Sequence, residues 1–191
     1  MSADAPSVAA RDDLAGIVDL FDWLTRAELS RALSELAFKQ RTEVDEDAIA
    51  AAIDIAVTEY ALVPAPPTAL FEAGSSEPTG VIDPASAGDG AGAGDNTDRG
   101  DVALAVGPAA FPSLPADAED LPHILDVPER DVDRESLSAA VLDRLSADAV
   151  AAINDRETER LETLADVTYD LEAWAPVDAG EIRERIVAEL D

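Results

Sequence analysis

Four expected helix starts in this chain share one signature: an Asp or Thr at the N-cap, a large apolar residue just before it and another four positions after it. The four are Leu24-Thr25 with Leu29, Val44-Asp45 with Ile49, Val132-Asp133 with Leu137, and Val177-Asp178 with Ile182. The oxygen of the N-cap residue accepts orphan N–H groups of the first turn, and the apolar pair staples the entry angle. Thr25 and Asp178 also have a Glu three residues on, Glu28 and Glu181, at the position that completes a capping box.

The segments that follow these starts are amphipathic. Leu29, Leu33, Leu36 and Ala37 share one face of 26–40, and Ile49, Ile53, Ala56, Val57 and Tyr60 share one face of 46–60. Ahead of them, Leu14, Ile17, Val18, Phe21 and Leu24 predict a first helix over 12–24. Behind them, helices are expected over 134–153, 156–165 and 179–190, with a short turn near 170–174. Only eight residues are aromatic. A core of small helix-forming side chains favours packed helices over a wide sheet.

Two short apolar runs, in "YALVPAPP" at 60–67 and "VALAVG" at 102–107, read as strands that pair in a hairpin. Residues 73–101 hold seven of the ten glycines and only Val81 and Ile82 as large apolar residues, too little apolar surface to offset chain entropy. The stretch 108–130 carries five prolines, which predicts an extended path anchored by Phe111, Leu114, Leu121, Ile124 and Leu125. The expected organisation is therefore a disordered tail at 1–10, a helical unit with a β-hairpin at 11–72 and 102–107, and a disordered Gly/Asp-rich insert at 73–101. An extended connector at 108–132 follows, then a C-terminal helical unit at 133–191 packed on the first. The fold class is mainly α, and three helices followed by a two-stranded hairpin is a winged-helix-like order.

Charge bounds the environment. The 42 acids against 13 bases give a formal net charge of −29, and Lys39 is the one lysine. The excess is even along the chain, −8 over 1–65, −11 over 66–132 and −10 over 133–191. An acidic tail would concentrate it in one block. At ~1 M salt the Debye length is ~3 Å, so such a surface suits a salt-rich cytoplasm in which self-repulsion is screened. The chain has no cysteine, which removes disulfides, thiolate nucleophiles and cysteine-based metal sites. The first residues lack the basic and apolar regions of a secretory signal, and no apolar run approaches the ~20 residues of a membrane span.

The candidate chemical motifs are weak. "GDGAGAGD" at 88–95 lacks the strand and helix that a phosphate loop needs. "DNTDRGD" at 95–101 would place Arg99 at the fifth position of a calcium loop and Val106 at the twelfth. His123, the sole histidine, has no motif partner for acid–base or metal chemistry. The acids of "DRETERLE" at 155–162 are interleaved with Arg156 and Arg160, a salt-bridged face. Tyr169, Leu171 and Trp174 form an aromatic and apolar cluster read as a core anchor. The one concentration of positive charge is Arg26, Arg31, Lys39 and Arg41, with Glu35 placed to pair with Lys39 at i, i+4.

The segments "LTRAELSRALSELAFK", "AFPSLP", "LPHILDV" and "YDLEAWAPVD" together resemble an uncharacterised family of small acidic proteins from haloarchaea, a domain of unknown function. The resemblance spans about 14–64, 102–128 and 133–190. It implies a salt-rich cytoplasm and assigns no catalytic or binding residue.

The expected function is a non-enzymatic, salt-adapted cytoplasmic protein-interaction or adaptor protein. Its partner surface would include Arg26, Arg31, Lys39, Arg41 and Trp174, with no catalytic residue, cofactor or metal. Two alternatives stand beside it. One is a winged-helix transcriptional regulator, disfavoured because the third helix, "DEDAIAAAIDIAVTEY", has five acids and no base. The other is an enzyme that uses carboxylates and a divalent metal.

Overall fold

The computed structural model describes residues 8–41, 45–73, 78 and 102–190. It divides into two compact units, Met1–Asp133 and Arg134–Asp191.

The first unit opens with α1 (Val8–Asp19), β1 (Trp23–Thr25), α2 (Arg26–Lys39) and α3 (Glu46–Thr58). The capping box at Thr25 is complete. Its hydroxyl accepts from the backbone N–H of Glu28, and Glu28 Oε2 accepts the backbone N–H of Thr25 at 2.8 Å. Asp45 caps α3 by accepting from Ala48 N at 3.1 Å. Each cap contributes about 1 kcal/mol. Its expected staple partner Val44 lies outside the described residues.

Strands β2 (Leu62–Pro64), β3 (Leu70–Glu72), β4 (Ala103–Val106) and β5 (Arg130–Val132) complete the unit, with α4 (Leu121–Leu125) between the last two. The expected pairing of 60–65 with 102–107 is the antiparallel β2–β4 pair, in register Val63↔Ala105. β4 is the central strand of three, however, because β1 pairs on its other side with Leu24↔Leu104. Three helices closed by a β1-β4-β2 sheet is the winged-helix arrangement. β3 and β5 form a separate pair, Leu70↔Val132. Leu14, Ile17, Val18, Leu24, Leu29, Ile53, Leu62, Leu104 and Leu121 form the core.

Three expectations change here. The helix expected over 12–24 stops at Asp19. Asp22 takes a left-handed φ of 63°, and Leu24 reaches the core from a strand. The helix also starts at Val8, so 8–10 are helical, while 1–7 lie outside the described residues. The connector is extended only in part. Asp117 (φ 67°) and Asp126 (φ 50°) bracket a 3-10 turn at Ala118–Asp120 and α4. Ala118, Leu121 and Leu125 are buried, whereas Phe111 and Leu114 face solvent. Of the glycine-rich stretch 73–101, only Ala73 and Pro78 are described, so the loop motifs at 88–101 lie outside.

The second unit is three helices, α5 (Arg134–Asp155), α6 (Thr158–Trp174) and α7 (Gly180–Leu190), each packed on the other two. α6 does not end at 165. Leu161, Leu164, Val167, Thr168 and Leu171 keep a buried 3.6-residue period to its end, and Pro176 lies just beyond. Asp178 Oδ1 accepts from Gly180 N at 2.9 Å, so the anticipated acceptor does meet the first turn of α7.

Candidate functional site

The four clustered cations divide into two kinds. Arg26 is tied inward: Nη2 lies 2.7 Å from Asp54 Oδ1 and donates to Ala50 O at 3.0 Å, joining α2 to α3. Lys39 Nζ lies 2.9 Å from Asp120 Oδ2 and donates to Asp117 O at 3.3 Å. The hydrogen bond that Lys39 donates to Asp120 holds the Lys39 ammonium above its ordinary value, and the same bond holds the Asp120 carboxyl below its own. The expected Glu35–Lys39 pair is therefore replaced by one to the connector. Arg31 and Arg41 are exposed and make no ion pair with any described residue. Phe38 stands one heptad from Arg31 on the same outward stripe and is 78 % exposed.

The reverse side of α2 forms a groove. Leu33, Leu36, Ala37 and Gln40 of α2 face Asp45, Ala48, Ile49 and Ala52 of α3 across an open space of about 680 Å³. Asp13, Leu14 and Ile17 of α1 complete it, with Pro115 and Ala116 of the connector as a fourth edge. The connector is fixed there by four contacts. Phe111 N donates to Asp12 Oδ1 at 3.1 Å, Ser113 N to Asp12 O at 3.0 Å, Ser113 Oγ to Asp13 Oδ1 at 2.8 Å, and Gln40 Nε2 to Ala116 O at 3.2 Å. Gly16 permits this approach, since a Cβ there would lie 2.0 Å from Ser113 O. Its volume falls within the range of about 300–1,000 Å³ seen for ligand pockets. Among the described residues, no Arg, Lys or His lines it.

Sequence reasoning missed Arg130. Its guanidinium lies 3.8 Å from the centre of the Trp23 ring, donates to Trp23 O at 3.0 Å, and grips both Glu28 oxygens. Burial pushes the Glu28 carboxyl up, but the bonds from Arg130 and Thr25 outweigh it and hold it below its ordinary value. The cluster ties β5 to the start of α2. No local signal predicts it, because the partners are 102 residues apart.

In the second unit, the cluster read as a core anchor is split. Leu171 is buried, Trp174 is half-buried with the Arg134 guanidinium 5.4 Å from its ring centre, and Tyr169 is exposed beneath Arg183 at 4.2 Å. Arg160 pairs with Asp148 of α5 at 3.3 Å. His123 sits exposed on α4. Among the described residues, no three His, Asp or Glu side chains are gathered where they could hold a metal. None of the described helices is long and apolar enough to cross a membrane.

Comparison with known proteins gives one match. A model for a family of unknown function, DUF7109, matches residues 12–191. No curated protein and no solved structure matches the chain.

Proposed function

We propose that this chain, which belongs to the family of unknown function DUF7109, is a non-enzymatic protein-interaction protein of a salt-rich cytoplasm, docking partners in the groove between its first three helices. The groove carries the reading. It is concave, apolar at its base and bordered by three helices whose hydrogen bonding is already satisfied, so a partner gains burial without unfolding the host. The cations Arg26 and Lys39 serve the host's own architecture, while Arg31, Phe38 and Arg41 offer a second, outward contact on α2.

DNA binding is the second reading, favoured by the β1-β4-β2 arrangement. Against it, the exposed face of α3 presents Glu46, Asp47 and Asp54, which would meet phosphates with like charge. Affinity capture from native cells at cellular salt, with and without nuclease, separates the two. A protein recovered in both samples, and lost when Ala52→Trp fills the groove, supports the docking reading. Recovery of DNA, or loss of every partner on nuclease treatment, overturns it.

A further inference from the structure

Within the proposed docking role, on which this inference rests, we infer that the groove takes one amphipathic helix of a partner, with Lys or Arg at the ends of its apolar face.

The shape argument comes from the walls. The α2 wall is Leu33, Leu36, Ala37 and Gln40, and the α3 wall is Asp45, Ala48, Ile49 and Ala52. Both run i, i+3, i+4, i+7, one full row of a helix face on either side. Each row spans eight residues, seven steps of 1.5 Å or roughly 10 Å, which is about two helical turns. Two helix walls of that length present ridges and a groove matched to the i, i+3, i+4, i+7 ridge of a third helix. Leu33, Ile49, Ala37 and Ala52 are half-buried and stand where such a ridge would seat, above the buried Leu14, Ile17 and Leu36.

Charge sets the sign of the flanking groups. Among the described residues, the ionised groups that line the groove are Asp13 and Asp45, and no cation does. Each accepts a hydrogen bond through Oδ1, Asp13 from Ser113 Oγ and Asp45 from Ala48 N, so the carboxylates are positioned rather than wandering. A second copy of this chain, at −29, meets that rim with like charge. A cationic helix end meets it with opposite charge, and contact pairs persist at high salt where longer-range attraction is screened.

The test uses the full chain and two synthetic helical peptides of about 15 residues. Both carry Leu at i, i+3, i+4 and i+7; one has Lys at both ends and the other Glu. Binding is read at about 1 M KCl by peptide fluorescence anisotropy and by methyl NMR shifts of Leu33 and Ile49. The Lys-ended peptide is expected to bind about tenfold more tightly and to move both methyl signals. The double variant D13N/D45N keeps both acceptor oxygens, so α3 stays capped, and is expected to erase the preference while leaving the apolar affinity. Ala52→Trp is expected to abolish both, with an unchanged circular dichroism spectrum as the control for folding. Equal binding of the two peptides, or a preference that survives D13N/D45N, overturns the basic-ended helix. Failure of either peptide to move Leu33 and Ile49 overturns the inference as well. The docking reading itself stands in those cases if a captured partner cross-links to the groove walls, and falls if it cross-links elsewhere.

Discussion

Arg130 and Glu28 meet fork to fork, Nη2 to Oε1 at 2.7 Å and Nη1 to Oε2 at 2.8 Å, while that same Oε2 accepts the backbone N–H of Thr25. One carboxylate thus caps α2 and neutralises a guanidinium whose side chain is 7 % exposed. Glu28→Ala removes the reciprocal half of the capping box and strands the cation, an expected loss of about 3–5 kcal/mol. Arg130→Met removes the buried charge together with its need for a partner and leaves the cap, so its expected cost is about 1 kcal/mol. Chemical unfolding of both variants in a Trp174→Phe background, with Trp23 as the reporter, decides the matter. Equal costs would mean that the pair, and not the stranded charge, sets the energy.

Carboxylates held low in the fold set the acid limb of stability: Asp120, already described, and one more in each unit. Glu28 is held below its ordinary value as described, and Glu172 is held below its own by the hydrogen bond from Arg183 and by the N–H of Ala179. A carboxyl lowered in the fold stabilises it above the unfolded value of 4.5 and loses that contribution as pH falls through the lower folded value. Unfolding midpoints measured from pH 7 down to about pH 2 should fall below about pH 4.5, and Glu28→Gln should flatten that limb. Asp170 has the opposite sign, because burial and Asp166 raise it. Asp170→Asn should therefore stabilise the second unit at neutral pH and change nothing in acid.

Gly16 lies inside α1, where Ala would ordinarily gain about 1 kcal/mol of helix propensity. Its missing Cβ is the space occupied by Ser113 O. Gly16→Ala is expected to destabilise by about 1–3 kcal/mol and to release the connector edge of the groove. A raised melting temperature would show that the connector yields freely.

α5 ends on Arg156 at a φ of 57°, a left-handed position that a non-glycine residue holds at a cost of roughly 1 kcal/mol. The side chain is exposed. Arg156→Gly should raise stability by about 1 kcal/mol, and thermal unfolding followed by Trp174 fluorescence reads it in the correct unit.

With a charge of −29, self-repulsion should dominate in dilute buffer. Thermal midpoints are expected to climb steadily between about 0.1 M and 1 M KCl as the Debye length shrinks from ~10 to ~3 Å. A midpoint flat across that range would remove the argument from charge to a salt-rich interior.

Helix starts were legible because a cap and a staple are local chemistry: Thr25 and Asp45 cap as their neighbours dictate. Helix ends were harder. α2, α3 and α5 are each followed by a left-handed residue that is not glycine, Arg41, Tyr60 and Arg156, so the usual stop signal is absent from the sequence. β1 was hidden because Leu24 continues the helical spacing of Leu14, Ile17 and Phe21 although the backbone turns at Asp22. At the candidate site, the α2 and α3 faces were visible as apolar periods. That they stand apart as groove walls depends on Pro115 and Ala116, brought from some seventy residues away. Arg26 and Lys39 looked available and are not, since their partners Asp54 and Asp120 come from other elements.

The distance between Glu28 and Arg130 also has a consequence for the nascent chain. At roughly 5–20 residues per second, the ribosome needs about 5–20 s to reach Arg130 after making Glu28, which precedes it by 102 residues. β1 waits almost as long for β4, since Trp23 pairs with Ala105. For that interval the first two helices must persist without their sheet or the cation that completes the α2 cap. A ribosome halted before β4 would hold a chain with bare strand edges, exposed to whatever chaperones meet it at the exit tunnel.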